Sequence, residues 1–152
     1  MDIEKYLRDA GVKFETHEHP PAYTAQEVAA AEHVSGDRVA KPVVVHAGDR
    51  HVLCVLPASF KIDLKKLRKA LKAKKCRLVE EPEMARLFSD VEVGAEGPFG
   101  KAYGLETVVD EQLAGCDTVT FTAGTHRRVV RMTYADYARL AEPTVADFSV
   151  HL

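Results

Sequence analysis

RVAKPVVVHAGDRHVLCVLP, residues 38–57, carries the pattern from which the fold can be read. Two runs rich in β-branched residues, Arg38–Ala47 and Arg50–Pro57, flank Gly48-Asp49. Gly followed by Asp suits a two-residue hairpin turn, because glycine accepts the positive φ that such turns require. The turn then sets the register: if Ala47 faces Arg50, His46 faces His51, Val45 faces Val52, Val43 faces Cys54 and Lys41 faces Leu56. Side chains alternate along a strand. One face therefore carries Lys41, Val43, Val45, Ala47, Arg50, Val52, Cys54 and Leu56, apolar in the middle and charged at both ends.

Upstream of this hairpin, Ile3, Tyr6, Leu7 and Ala10 have helical spacing, with Gly11 as the stop. Val12–His17 alternates weakly and predicts a short strand. Thr24-Ala25-Gln26-Glu27 forms a capping box ahead of an alanine-rich helix running to about His33. Downstream, Asp63 caps a helix with the stripe Leu64, Leu67, Ala70 and Leu71. Cys76–Val79 reads as a strand, Pro82–Phe88 as a short helix and Val93–Gly100 as a glycine-rich loop. Strands are predicted at Leu105–Val109, Thr118–Thr122 and Arg127–Met132, and a Thr133-capped helix over Tyr134–Leu140. Helices and strands without a steady βαβ rhythm indicate an α+β fold with a mixed sheet. No linker or repeat divides residues 1–152, so one domain is expected.

The 152 residues carry 21 Lys or Arg against 23 Asp or Glu, a net charge of −2, which excludes a wholly cationic nucleic-acid coat. A local basic face is not excluded: Lys61–Lys75 holds eight Lys or Arg and one Asp. Such a helix is either a solvated face or a landing strip for a nucleic-acid backbone, with Lys65, Lys69 and Lys72 as candidates. No apolar run approaches the roughly 18 residues of a membrane span. The N-terminal MDIEKYLRDAG lacks an apolar signal core, and Cys54, Cys76 and Cys116 share no CxxC spacing. Reduced, structural thiols and a cytoplasmic location are the expectation.

His17 with His19, and His46 with His51, could each hold half a metal site, but the sequence offers neither pair an obvious third ligand. No metal and no cofactor is therefore expected. GxSxG, HExxH and P-loop patterns are absent. Lys41 reads either as a snorkelling strand-end lysine or as a cation at the lip of an apolar pocket. Gly94-Ala95-Glu96-Gly97-Pro98-Phe99-Gly100 is either an ordinary turn or a stiff loop presenting backbone amides to a developing oxyanion. In the second case loop shape matters and the Glu96 side chain has no required role. Gly124-Thr125-His126 is read as a hairpin bend between the two strands that flank it.

Taken in order, these elements resemble the YbaK/EbsC family of aminoacyl-tRNA deacylases, related to the editing domain inserted in prolyl-tRNA synthetases. The matching pieces are Thr24-Ala25-Gln26-Glu27, the strand-borne Lys41, Gly94-x-x-x-Pro98 followed by Gly100, Val108-Val109-Asp110-Glu111 and Gly124-Thr125-His126. Pro42 departs from the pattern, since many relatives carry a small polar residue there. The resemblance implies a mixed, strongly curved sheet flanked by helices, and hydrolysis of the ester between a wrong amino acid and the tRNA 3′ end. By this carry-over Lys41 holds the phosphate near the terminal adenosine. Gly94, Gly97, Pro98 and Gly100 form the loop that binds the aminoacyl carbonyl. Thr24, Asp110, Gly124 and His126 shape the substrate pocket. Catalysis is metal-free, with a positioned water and a ribose hydroxyl of the substrate.

An aminoacyl ester is already activated, so positioning and oxyanion stabilisation suffice and no triad is needed. The implied substrate is mischarged tRNA, with the proline acceptor carrying alanine as first choice and cysteine, serine and threonine open. A synthetase or an elongation factor is a candidate protein partner, and the sequence sets no oligomeric state. Two other readings stand beside the deacylase: a tRNA- or nucleotide-binding module without hydrolysis, and a regulatory module of the same fold.

Overall fold

The hairpin register sets the centre of the molecule. In the computed structural model, which describes residues 1–152, strands β2 (Ala40–Ala47) and β3 (Arg50–Pro57) pair antiparallel from Ala47↔Arg50 through Lys41↔Leu56, as the turn predicts. Gly48 takes φ +66°. Both faces of this hairpin are covered, which is why its strands read as nearly continuous apolar runs. Val45, Val52, Cys54 and Leu56 pack beneath Leu67 and Leu71 of α3 (Leu64–Leu71) and against Phe148. Val44, Leu53 and Val55 face a larger cluster containing Phe99, Phe121, Val130 and Tyr137.

The sheet is mixed but divided. Strand β5 (Cys76–Leu78) joins β2 antiparallel, while β6 (Glu106–Asp110) and then β9 (Thr144–Ala146) extend β3 in parallel, giving the order β5-β2-β3-β6-β9. A separate antiparallel sheet orders β1 (Glu15–Glu18), β8 (Arg128–Thr133) and β7 (Thr118–Thr122). A single parallel bridge, Val39↔Thr120, joins it to the approach to β2. Strands β4 (Phe60–Ile62) and β10 (Ser149–His151) pair as a third, two-stranded sheet. Helices α1 (Ile3–Asp9), α2 (Ala25–Glu32), α4 (Glu81–Leu87), α5 (Glu111–Ala114) and α6 (Tyr134–Ala141) complete the α+β fold.

The predicted caps form. Thr24, Asp63 and Thr133 accept from the amides of Glu27, Lys65 and Asp136. In the capping box, however, Glu27 reaches back to the Tyr23 amide rather than to that of Thr24. Strand β1 begins later than the alternation suggests, because pairing with β8 starts only at Glu15↔Arg131. Val12 and Phe14 reach the core from the preceding connection. Strand β5 pairs only with Val45–Ala47. Strand β2 thus has a free edge at Pro42, where a residue without an N–H is tolerated.

Candidate active site

Where the edge of β2 is free, a cleft of about 290 Å³ opens between α2, β2 and the glycine-rich loop. Thr24, Lys41, Pro42, Gly94, Glu96 and Thr122 line it, with Ala22, Val28 and Val39 among its apolar walls. Three sequence-derived candidates, Thr24, Lys41 and Gly94, thus meet from segments far apart in the chain. Lys41 is half-buried, and dehydration lowers its pKa from the usual lysine value. Its ammonium donates to the Phe60 carbonyl at 2.5 Å. That uses one of three N–H donors.

Hydrogen bonds lace the glycine loop to the Gly124–His126 turn. The Glu92 amide donates to the Gly124 carbonyl and the Gly124 amide to the Ala95 carbonyl, each at 3.0 Å. Glycine is required at Gly94 and Gly124, whose φ values are +86° and +87°. His126 lies behind the cleft. Its amide donates to Glu92 Oε2 at 3.0 Å and its Nε2 lies 2.8 Å from the Val93 carbonyl. A carbonyl only accepts, so Nε2 carries a proton, while the buried Nδ1 has no partner. The ring also stacks, tilted, on Tyr23 at 4.8 Å between centroids, and a Cβ on Gly94 would stand 3.4 Å from His126 Cε1. His126 and Gly124 therefore brace the wall rather than line it.

The remaining loop residues turn inward. Gly97, Pro98 and Gly100 are buried, as are Ala95, Glu96 and Phe99. The Gly100 amide donates to Thr107 Oγ1, and the Pro98 carbonyl accepts from Tyr137. A Cβ on Gly97 would meet Ile3 Cδ1 at 2.2 Å. Gly97 is thus a packing position against α1. Asp110 is also away from the cleft. Fully buried, its carboxylate accepts from the Gln112 amide at 3.0 Å and the Phe148 amide at 2.9 Å, capping α5 and pinning the C-terminal segment.

Sequence reasoning gave the Glu96 side chain no role and passed over Tyr23. Glu96 is only 4% exposed and accepts from the Gly94 amide at 3.0 Å. Burial pushes its pKa above the usual glutamate value, while the amide bonds of Glu96 and Gly94 oppose that shift. The expectation that this side chain has no role therefore meets a correction: it holds Gly94 in place. A charged residue between glycines reads as an exposed turn, and only the surrounding fold buries it. Tyr23, 65% exposed, stands at the mouth of the cleft as a free aromatic face.

Lys65, Lys69 and Lys72 are exposed on or just beyond α3 and form no ion pair, whereas Lys66 pairs with Asp147. A broader concavity of about 650 Å³ at the hairpin turn continues this basic surface through Arg68, Lys74, Lys75 and Arg77. Cys76 is the one hydrophobic residue in its lining. Cys54 is buried, and burial pushes its thiol up to about 12, which makes it unreactive. His17 Nδ1 bonds Glu32 at 2.7 Å. For His46 and His51, the structure supplies the third group that the sequence did not reveal, Glu83.

The site is thus a small cleft with one half-buried cation and a glycine-rich wall, on an α+β frame. The chain belongs to the aminoacyl-tRNA editing domain family, whose model matches residues 19–140. Solved structures share the fold. A candidate trans-editing enzyme for prolyl tRNA synthetase is 24% identical, with a TM-score of 0.83 over 98% of this chain and 95% of that one. A hypothetical protein of 20% identity has a TM-score of 0.88 over 99% of this chain and 100% of that one. A candidate signal transduction protein from Marinobacter aquaeolei VT8 contains the same fold within a larger chain: identity 18%, TM-score 0.74, covering 97% of this chain and 30% of that one. No helix is long and apolar enough to cross a membrane.

Proposed function

We propose that residues 1–152 act as an editing domain that hydrolyses the ester between a small, non-cognate amino acid and the 3′ end of the proline tRNA. The observation that carries this reading is the convergence of Lys41, Thr24, Gly94 and Glu96 on one small cleft. Lys41 binds the phosphate next to the terminal adenosine with the donors that Phe60 leaves free. Tyr23 offers a face on which the terminal base stacks, the usual way single-stranded ends are held. The loop around Gly94 receives the aminoacyl carbonyl. Loop amides other than those of Gly94, Ala95 and Gly100, which already donate within the protein, stabilise the oxyanion that forms when water attacks, a contribution of about 2.7–4 kcal/mol per donor. The water loses a proton as the departing ribose oxygen gains one, with the neighbouring ribose hydroxyl positioning the water. Glu96 and His126 hold the loop in the geometry this requires.

The size of the cleft supports a small amino acid. Its roughly 290 Å³ lies at the lower end of ligand sites, which span about 300–1,000 Å³, and it must also admit the ester and part of the ribose. Alanine is the first choice. A synthetase pocket rejects a substrate differing by one methylene by only ~10–200-fold, which is why a second, smaller sieve is useful. The test is a panel of proline tRNA charged separately with alanine, cysteine, serine, threonine and proline. The alanyl ester should be cleared fastest and the prolyl ester spared. Tight tRNA binding without turnover of any ester would assign the chain to the binding modules of this fold.

A further inference from the structure

We propose that His46, His51 and Glu83 form a site for a divalent metal ion of the zinc type, separate from the cleft, that fastens α4 to the β2–β3 hairpin. This proposal does not rest on the editing function. The hairpin register sets His46 directly opposite His51, with ring centroids 4.0 Å apart. Helix α4 lays Glu83 across both rings, its Oε1 2.9 Å from His46 Nε2 and 3.3 Å from His51 Nε2. The three donor atoms all lie within 4.8 Å of one another. A tetrahedral zinc ion with bonds of about 2.0–2.1 Å spaces its ligands roughly 3.3 Å apart, so the trio can close on an ion by side-chain rotation alone.

The chemistry of the set fits. Two imidazoles and one carboxylate, with a fourth position left to water, are a common zinc donor set. Side-chain exposures of 20%, 28% and 24% for His46, His51 and Glu83 leave the group restrained yet reachable from solvent. Nearby cations oppose binding. Arg77 pairs with His46 across β2 and β5, and Arg86 shares a concavity with Glu83, although Glu80 partly offsets them. The site is therefore weaker than a closed four-ligand site. It is also remote from the reaction: His46 stands five residues along β2 from Lys41, about 16 Å at strand rise. The ion would tie down the helix whose C-terminal end leads through Phe88 toward the glycine loop.

Cobalt(II) titrated into the full chain at pH 7.5 should bind at one equivalent, with the intense visible absorption of a four-coordinate site, and zinc should displace it. Zinc at about 100 times its dissociation constant should raise Tm by about 5–10 °C. His51→Ala should lose both signals. Glu83→Gln, nearly isosteric on a partly exposed helix face, should keep the fold and weaken cobalt binding at least tenfold. Cys76→Ser should bind cobalt like the wild type. Absence of cobalt binding by the wild-type chain, or equal binding by Glu83→Gln, would reduce the trio to a hydrogen-bonded cluster and overturn the proposal.

Discussion

At the cleft a single ammonium, Lys41, sits half-buried on an apolar strand face. Along α3 and just beyond it, Lys65, Lys69 and Lys72 stand in water without an ion-pair partner. A dehydrated cation acts through low-dielectric contact with one ligand group and has no substitute nearby. Exposed cations act through a field that salt screens and neighbours share. Charge alone therefore does not identify the chemistry of this molecule. The most basic stretch of the sequence is a docking candidate, while the isolated lysine on an apolar face is the candidate for the reaction.

The largest effect should come from Lys41→Ala. Loss of the phosphate anchor is expected to lower kcat/KM for deacylation on the order of 10²-fold, the scale of a mispositioned substrate, with circular dichroism unchanged. A folded variant with near wild-type activity would remove the distinction between the two kinds of cation.

Asp110→Ala should act on stability instead. It leaves the buried Phe148 amide without its acceptor and uncaps α5, at a cost of about 2–4 kcal/mol read by denaturant unfolding. The variant that remains folded should retain its rate. A normal unfolding midpoint with a collapsed rate would instead place Asp110 in the pocket.

Glu96 sharpens the comparison from the cleft side. If its carboxylate only anchors Gly94, Glu96→Gln keeps an acceptor and costs little in rate, whereas Glu96→Ala frees the Gly94 amide and slows the bound complex about tenfold. Severe loss in both variants would make Glu96 a general base. The pH dependence has a definite sign. Because the folded pKa is raised, the native state binds more protons than the unfolded chain between the ordinary glutamate value and the folded one. Stability should therefore rise as pH falls through that window, and Glu96→Gln should abolish this contribution. Matched unfolding curves at several pH values would check it.

The regular parts of this fold were legible from local chemistry. Gly48-Asp49 gave the hairpin register, and Thr24, Asp63 and Thr133 marked helix starts. The short strands β4, β9 and β10 were not read. Each has only three residues and exists because of a distant partner, as in Ser149↔Ile62 or Val108↔Thr144. The site divides the same way. Thr24, Lys41 and Gly94 carry local signals, and the cleft gathers them. Glu96 and Glu83 carry none: one is a glutamate in a glycine loop, the other a glutamate on a polar helix. Only tertiary contacts bury the first and bring the second to two histidines. Gly97 shows the converse: its glycine carries a local signal, yet a Cβ there would meet the Ile3 side chain and the residue does not line the cleft.

The smallest and most salt-sensitive effect belongs to α3. Reversing Lys65, Lys69 and Lys72 to Glu should weaken tRNA binding and make the log-log salt dependence less steep by about 2–3, from the 0.7–0.9 expected per phosphate contact. An unchanged slope would leave this helix as a solvated face.

The most direct test of the account is single-turnover deacylation of alanyl-tRNA by wild type, Lys41→Ala and the α3 triple reversal, each with enzyme in saturating excess. The account predicts a wild-type rate constant far above spontaneous hydrolysis and a rate lowered about 10²-fold by Lys41→Ala. The triple reversal should need more enzyme to saturate but then react at nearly the wild-type rate. A wild-type rate no faster than buffer, or equal losses at saturation in the two variants, would contradict it.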